Sequence, residues 1–301
     1  MALKHILVTG SNKGVGRAIV EALLSKYSDT YVYLCSRSME NGQNAFDSII
    51  AKNSMYKDRL SLLLLDVTSD ESIITASNFF KSNNIKLYAI VNNAGIATGE
   101  PITILQTNYY GVKRVIDNFI GILNPNGRIV SISSGAAPMF LEKCTEERRH
   151  VMINPLIEID QIESIINEYI SSFNNGGEDS LRTLGYGSES MNTGYGFSKS
   201  ILNLYTILLA RQYNDMKIVS CSPGLVKTDI FIPIANNMNT SLEELWNKFG
   251  AIDVDDSTKS TERLLFDDVE SGCYYGSDGF RSPMASYRKP GSPEYDGSNG
   301  R

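Results

Sequence analysis

An apolar run over residues 5–9 passes straight into Thr9-Gly10-Ser11-Asn12-Lys13-Gly14-Val15-Gly16, and a helical pattern begins near Arg17. Strand, glycine turn and helix in that order form a phosphate cradle. Gly10 and Gly14 let backbone N–H groups approach a pyrophosphate with no Cβ in the way. The helix N-terminus favours its charge, and Gly16 permits close packing of helix on strand. Three glycines alone can be only a turn; the strand before them and the helix after them favour the nucleotide reading. The alternation then continues. Further strands are expected over 31–36, 60–66, 87–92, 128–133, 217–222 and 273–276, with helical patterns in most of the gaps. The expected fold is therefore α/β: a doubly wound, parallel, seven-stranded sheet of Rossmann type with helices on both faces, forming one domain over residues 1–301. Ligands of such a sheet bind beyond the carboxyl ends of the strands.

Chemistry is expected from Gly194-Tyr195-Gly196-Phe197-Ser198-Lys199, at the mouth of a segment in which Ile201, Leu204, Tyr205, Leu208 and Leu209 recur at helical spacing. On a helix, Tyr195 and Lys199 stand at i and i+4 on one face. A phenol of pKa about 10 exchanges protons poorly at neutral pH, and a neighbouring ammonium lowers that value. Tyr and Lys four apart are by themselves most often a solvated pair, so the weight comes from the rest of the chain. At the end of the second strand, where an acidic side chain usually meets a cofactor lacking a 2′-phosphate, the sequence has Cys35-Ser36-Arg37. With no carboxylate there, and with Lys13 and Arg37 to attract a phosphate, NADP(H) is favoured over NAD(H).

Several function classes are excluded. A net charge of -6 argues against a general nucleic-acid binder. The first apolar run is too short for a signal peptide and no later one is long enough to span a bilayer, so a cytoplasmic protein is expected. His5 and His150 are the only histidines, and there is neither a Gly-x-Ser-x-Gly elbow nor a His-Glu-x-x-His. A histidine-based hydrolase or a zinc site is therefore not expected, and no metal is. Cys35 and Cys221 lie in apolar strand runs and are expected to be buried as small hydrophobes.

Taken together and in order, these features resemble the short-chain dehydrogenase/reductase family. Thr9-Gly10-x-x-x-Gly14-x-Gly16 matches its cofactor loop, Asp66-Val67 its contact beneath adenine, and Asn92-Asn93-Ala94-Gly95 its fourth-strand signature. Asn108, Ser133-Ser134, Tyr195-x-x-x-Lys199, Pro223-Gly224 and Thr228 follow. The resemblance implies a catalytic set of Asn108, Ser134, Tyr195 and Lys199. It implies cofactor contacts at Gly10, Asn12, Lys13, Gly14, Val15, Gly16, Arg37, Asp66, Val67, Asn93, Ala94, Gly95, Tyr195, Lys199, Pro223, Gly224, Val226 and Thr228. Thr107-Asn108-Tyr109-Tyr110-Gly111, and the long spacing from Ser134 to Tyr195, are similar to the carbonyl reductases with a long insertion, here about 135–193. In that group the insertion packs over the helices used elsewhere for dimerisation, which implies a monomer.

What the resemblance implies is NADPH-dependent reduction of a small, largely apolar ketone, aldehyde or quinone. The alternatives are a catalytically silent NADP(H) sensor or scaffold, and an alcohol dehydrogenase running oxidatively. Within the insertion, Ile159, Ile162, Ile166, Tyr169, Ile170 and Phe173 form one stripe of an amphipathic helix ended by Asn174-Asn175-Gly176-Gly177. Glu158, Asp160, Glu163 and Glu168 read as its solvated face, and His150 as exposed. The segment 230–250 corresponds to the family's substrate loop, and its apolar residues suit either a ligand cover or an ordinary packed helix. The tail, about 277–301, is rich in Gly, Pro, Ser and Tyr and is expected to be irregular or extended. Three features depart from the family pattern: Tyr88 replaces a usual aspartate, Leu225 a frequent aromatic residue, and the tail is longer than the resemblance requires.

Overall fold

The computed structural model describes residues 3–188 and 194–298. The strands are β1 (Lys4–Val8), β2 (Thr30–Ser36), β3 (Leu60–Leu64), β4 (Leu87–Asn92), β5 (Leu123–Ile132), β6 (Lys217–Cys221), β7 (Tyr274–Tyr275) and β8 (Arg281–Ser282). They form one sheet in the order β3-β2-β1-β4-β5-β6-β7-β8. Every pairing is parallel except the last, β7 with β8. The order reverses between β1 and β4, which opens the crevice where a doubly wound sheet holds its ligand.

The expected seven strands are thus eight. The additional one comes from the tail, which turns back after β7 through Gly276 and Gly279, Gly276 N donating to Phe280 O at 2.9 Å. Two paired residues are too short for any alternation of polar and apolar side chains to mark them in the sequence.

The helices are α1 (Gly14–Lys26), α2 (Met39–Lys52), α3 (Asp70–Ser82), α4 (Pro101–Asn108), α5 (Tyr110–Phe119), α6 (Ala136–Glu142), α7 (Glu146–Met152), α8 (Ile159–Thr183), α9 (Tyr195–Gln212), α10 (Ile232–Asn237), α11 (Leu242–Phe249) and α12 (Lys259–Phe266). Strands covered on both faces read as continuous apolar runs, and successive side chains then enter two different cores. Ile6, Val8, Val32, Leu34, Ala89 and Val91 meet α1, α2 and α12 in one core. Leu7, Tyr33, Cys35, Leu87 and Ile90 meet α3, α5 and α9 in the other. Cys35 and Cys221 are fully buried. Tyr88, in place of the family's aspartate, donates its hydroxyl to Leu265 O at 2.6 Å and so ties β4 to α12.

The insertion supplies α6, α7 and α8; its last residues, 189–193, lie outside the described ones. The α8 run breaks at Gly176 and Gly177, the latter at φ +60°, where the sequence placed its end. Ile162, Ile165, Ile166 and Tyr169 are buried against the core that contains α9. Tyr169 stacks on Phe197 with ring centroids 3.7 Å apart and planes 6° from parallel. Residues Gly196 to Leu209 of α9 are all buried.

The acidic face of α8 is not simply solvated. Glu163 accepts the hydroxyls of Tyr109 at 3.0 Å and Tyr110 at 2.7 Å, clamping α8 to the start of α5. Burial and this carboxylate push both phenols above their usual range. Glu168 accepts from Tyr186 at 2.7 Å and pairs with Arg148 at 2.8 Å. Periodicity assigned these carboxylates to the outer side, but each is close enough to the seam for a partner from another element. Glu158, Asp160 and His150 are exposed as expected. Among the described residues no helix is long and apolar enough to cross a membrane.

Candidate active site

The glycine loop leaves β1 and enters α1 with Gly10 at φ +60° and Gly14 at φ +56°, the left-handed region that glycine tolerates. A Cβ on Gly16 would lie 2.3 Å from Asn93 Nδ2 and 2.8 Å from Gly10 O, so only glycine lets helix, loop and β4 meet this closely. One on Gly10 would be 2.9 Å from Ala94 Cα. The α1 N-terminus has no side-chain cap and no acidic residue in its first turn. Its backbone donors and dipole are therefore available to an anion.

Two polar residues hold this loop. Thr9 Oγ1 accepts from the Asn93 and Ala94 N–H groups, both at 3.0 Å. Asn93 Nδ2 donates back to Thr9 O at 2.9 Å and Gly10 O at 3.0 Å, so its amide supports the cradle instead of reaching out to a ligand. Ser11, which the sequence reading did not single out, ties the loop to the end of β2. Its hydroxyl donates to Val8 O at 2.8 Å and accepts from Cys35 N at 2.9 Å, and its own N–H donates to Cys35 O at 2.8 Å. A serine next to a glycine turn was its only signal in the sequence.

The two expected phosphate-binding cations differ. Arg37 is exposed just past β2 and makes no hydrogen bond or ion pair among the described residues. Lys13 is paired with Asp229 at 3.2 Å, both side chains more than 60% exposed (69% and 63%). A pair so open to water is weak and can exchange for a phosphate. Asp66 accepts from the Thr68 N–H at 2.9 Å and hydroxyl at 2.7 Å, and Val67 packs on Gly111 at the start of α5.

Asn108, Lys199 and Tyr195 come together where β4 and β5 end, and Ser134 follows two residues after Ile132, whose carbonyl holds Lys199. Asn108 is fully buried at the end of α4. Its Oδ1 accepts from Ile96 N at 2.9 Å; its Nδ2 donates to Ile96 O at 2.9 Å and Ser198 Oγ at 3.0 Å. Ser198 in turn donates to Tyr195 O at 2.7 Å, which links Asn108 to the first turn of α9. A Cβ on Gly95 would stand 3.2 Å from Asn108 Oδ1 and 3.5 Å from Lys199 Nζ, so the glycine leaves room for both. Gly194, at φ +97° beneath Pro101, sets the start of α9.

Lys199 is 4% exposed, and its Nζ donates to Ile132 O at 2.7 Å at the end of β5. The ammonium lies 6.0 Å from the centre of the Tyr195 ring. Burial lowers its pKa from 10.5 to about 8. Of the two serines after β5, Ser133 is buried and turned to Lys199 O, at 3.4 Å. Ser134 is half-buried, and its Oγ accepts the Ala136 N–H at 3.1 Å. That bond uses a lone pair and leaves the O–H of Ser134 able to donate.

Beyond β6, Gly224 turns at φ +92° and Val226 pairs with Ile252. This brings Thr228 over the glycine loop, its Cγ2 3.5 Å from where a Gly14 Cβ would be. Of the segment 230–250, α10 and α11 pack on each other through Phe231, Ala235, Leu242 and Leu245, a cluster apart from the sheet cores. Ile232 and Phe249 remain exposed. The tail, expected to be irregular, returns to the site: Tyr287 lies against Gly135, and its N–H donates to Glu142 Oε1 at 2.9 Å. No sequence signal singled out Tyr287.

The model of the short chain dehydrogenase family matches residues 4–144. The chain is 31% identical to short-chain dehydrogenase/reductase 1 of Saponaria officinalis over 260 residues, covering 75% of this chain and 83% of the relative. It is 30% identical to carbonyl reductase (NADPH) 3 of Mus musculus over 74% of this chain and 82% of that one. Among solved structures, salutaridine reductase from Papaver somniferum has the same fold, with a TM-score of 0.73 at 24% identity over 90% of this chain and 99% of that one. With the strand order and the glycine cradle, these similarities lead to one assignment: the chain belongs to the short-chain dehydrogenase/reductase family.

Proposed function

We propose that the protein is an oxidoreductase that reduces a small carbonyl compound to an alcohol with NADPH, the whole chain acting as one Rossmann-type unit. The observation that carries this reading is the buried Lys199 ammonium, held by Ile132 O beside Tyr195, Asn108 and Gly95. A lysine withdrawn from water with its pKa lowered to about 8 is costly to the fold and typical of a site that moves protons. The cofactor is supported by the cradle: Gly10, Gly14 and Gly16 leave the space, and α1 presents an uncapped N-terminus. NADPH rather than NADH is supported by Arg37, which makes no hydrogen bond or ion pair among the described residues just past β2, where no carboxylate stands, and by Lys13 in the glycine loop.

In this reading Gly10, Asn12, Gly14, Val15 and Gly16 hold the pyrophosphate, Asp66 and Val67 flank the adenine, and Arg37 and Lys13 take the 2′-phosphate. Asn93, Ala94, Gly95, Pro223, Gly224, Val226 and Thr228 line the nicotinamide half. When bound, NADPH would supply the hydride for the carbonyl carbon. Ser134 donates its hydroxyl to the carbonyl oxygen and polarises it, and Tyr195 gives that oxygen its proton. Lys199 stabilises the phenolate left on Tyr195. Both Nδ2 protons of Asn108 are committed, so it acts through its Oδ1, which retains an acceptor site for a water on the path to Lys199. The carbonyl reductase named above supports the choice of reaction, and the cover of α8 over α9 supports a monomer.

The test is NADPH consumption with quinones, aromatic aldehydes and cyclic ketones. Turnover of at least one class is expected. Inertness across the panel, with NADPH still bound, would contradict the reading and favour a binding protein without catalysis.

A further inference from the structure

The tail is longer than the fold requires and is tied down by a buried ion pair. After β8, Met284 is buried, at 1% exposure, in the core that also contains α9. The chain then runs to Tyr287 and Arg288. The Arg288 side chain is 7% exposed and pairs with Asp278, itself 17% exposed. Arg288 also donates to Ser282 Oγ at 2.9 Å and Ser292 O at 2.7 Å, while Asp278 accepts from Gly291 N at 2.8 Å and Phe280 N at 3.2 Å. Largely withdrawn from water, such a pair is a poor source of stability but fixes geometry. What it fixes is the residue before it.

Tyr287 is 40% exposed, yet its Cε2 lies 3.0 Å from where a Cβ on Gly135 would be. Gly135 follows Ser134, so the ring packs on the backbone next to the residue assigned to the carbonyl oxygen. The backbone N–H of Tyr287 is held by Glu142 of α6. Burial above all, and with it the Tyr287 and Tyr195 phenols, pushes the phenol of Tyr274 at the sheet end above its usual range. One part of the ring is thus covered by Gly135 and the rest is open to water.

We propose that Tyr287 is a specificity-determining residue, its ring forming one wall of the carbonyl-binding cleft and favouring flat, aromatic carbonyl compounds. The proposal rests on the reductase reading for the identity of the ligand. Aromatic rings stacked or edge-on contribute beyond the area they bury, enough for a change in affinity of about three- to tenfold. The Arg288–Asp278 pair keeps the ring in place.

The experiment compares wild type, Tyr287→Ala and Tyr287→Phe with acetophenone and propanal as probes. For Tyr287→Ala, KM for acetophenone rises about three- to tenfold. In the same variant kcat changes by less than about twofold, as does KM for propanal, because a wall acts on binding and Tyr195 on chemistry. Tyr287→Phe keeps the ring and restores the wild-type KM. Acetophenone titrated into the NADP+-loaded proteins gives a weaker Kd for Tyr287→Ala by the same factor. Equal KM and Kd for wild type and Tyr287→Ala, or a matching rise for propanal, overturns the proposal. A wild type that binds acetophenone more tightly than Tyr287→Ala but turns nothing over leaves the wall standing and overturns the reductase reading instead.

Discussion

Replacing Lys199 with methionine should stabilise the fold near neutral pH while removing activity. The side chain is almost wholly buried, and burial lowers its pKa from 10.5 to about 8. That difference corresponds to about 3 kcal/mol by which the folded protein disfavours the ammonium. Methionine fits the same channel without a charge but leaves Ile132 O without its 2.7 Å donor, a loss of about 1 to 3 kcal/mol. Near pH 7 the variant should therefore be more stable by about 1 kcal/mol. The sign of the pH dependence follows from the depressed value. Below about pH 8 lysine is charged in both folded and unfolded chains, and the whole cost is present. Between about pH 8 and 10.5 the unfolded chain binds more protons than the folded one, so wild-type stability gains and the cost disappears. Urea unfolding at a series of pH values measures both proteins. The advantage of Lys199→Met should shrink and then reverse as pH rises through that window. A difference that stays constant from about pH 7 to about pH 10 would show that Lys199 does not titrate there, and would refute the account of its burial.

The same titration bears on catalysis: reduction by the wild type should slow above about pH 8, where Lys199 loses the charge that stabilises the Tyr195 phenolate, and a flat profile to about pH 10 would contradict it. Arg37→Ser should weaken NADPH by about tenfold and NADH little, since only NADPH carries the phosphate; equal losses in equilibrium binding would refute the contact. The intact chain should sediment as a monomer at micromolar concentration, because α8 covers α9. Ile166→Asp, which sets a carboxylate into that seam, should cause association or aggregation. A stable wild-type dimer formed through α9 would give the insertion another purpose.

What could be read from the sequence was what repeats locally. The strands that build the sheet are buried on both faces, so each stands out as an apolar run. The glycines at 10, 14 and 16 mark the cradle because their backbone angles and close approaches admit little else. Tyr195 and Lys199 share a helix, and their spacing alone set them on one face. Residues that act through distant partners were not legible. Glu163 sits on the polar side of α8 by periodicity, and only the fold brings Tyr109 and Tyr110 to it. Ser11 is an ordinary loop serine until β2 is laid beside it. Lys13 looked like a free cation because Asp229, its partner, lies more than two hundred residues away. The tail carries few apolar residues, and its order comes from Arg288 and Asp278, a pairing that no local pattern announces.

The central claim, that Tyr195 donates the proton in an NADPH-driven reduction, is tested most directly by Tyr195→Phe. Two quantities are measured on the same preparation: NADPH affinity by equilibrium titration, and turnover of the best carbonyl found for the wild type. Phenylalanine keeps the ring beside Lys199 and removes only the hydroxyl, so affinity should stay within about twofold while turnover falls by about a hundredfold or more, the usual scale for losing a positioned acid. Turnover within about tenfold of wild type would contradict the assignment and return the proton to another donor.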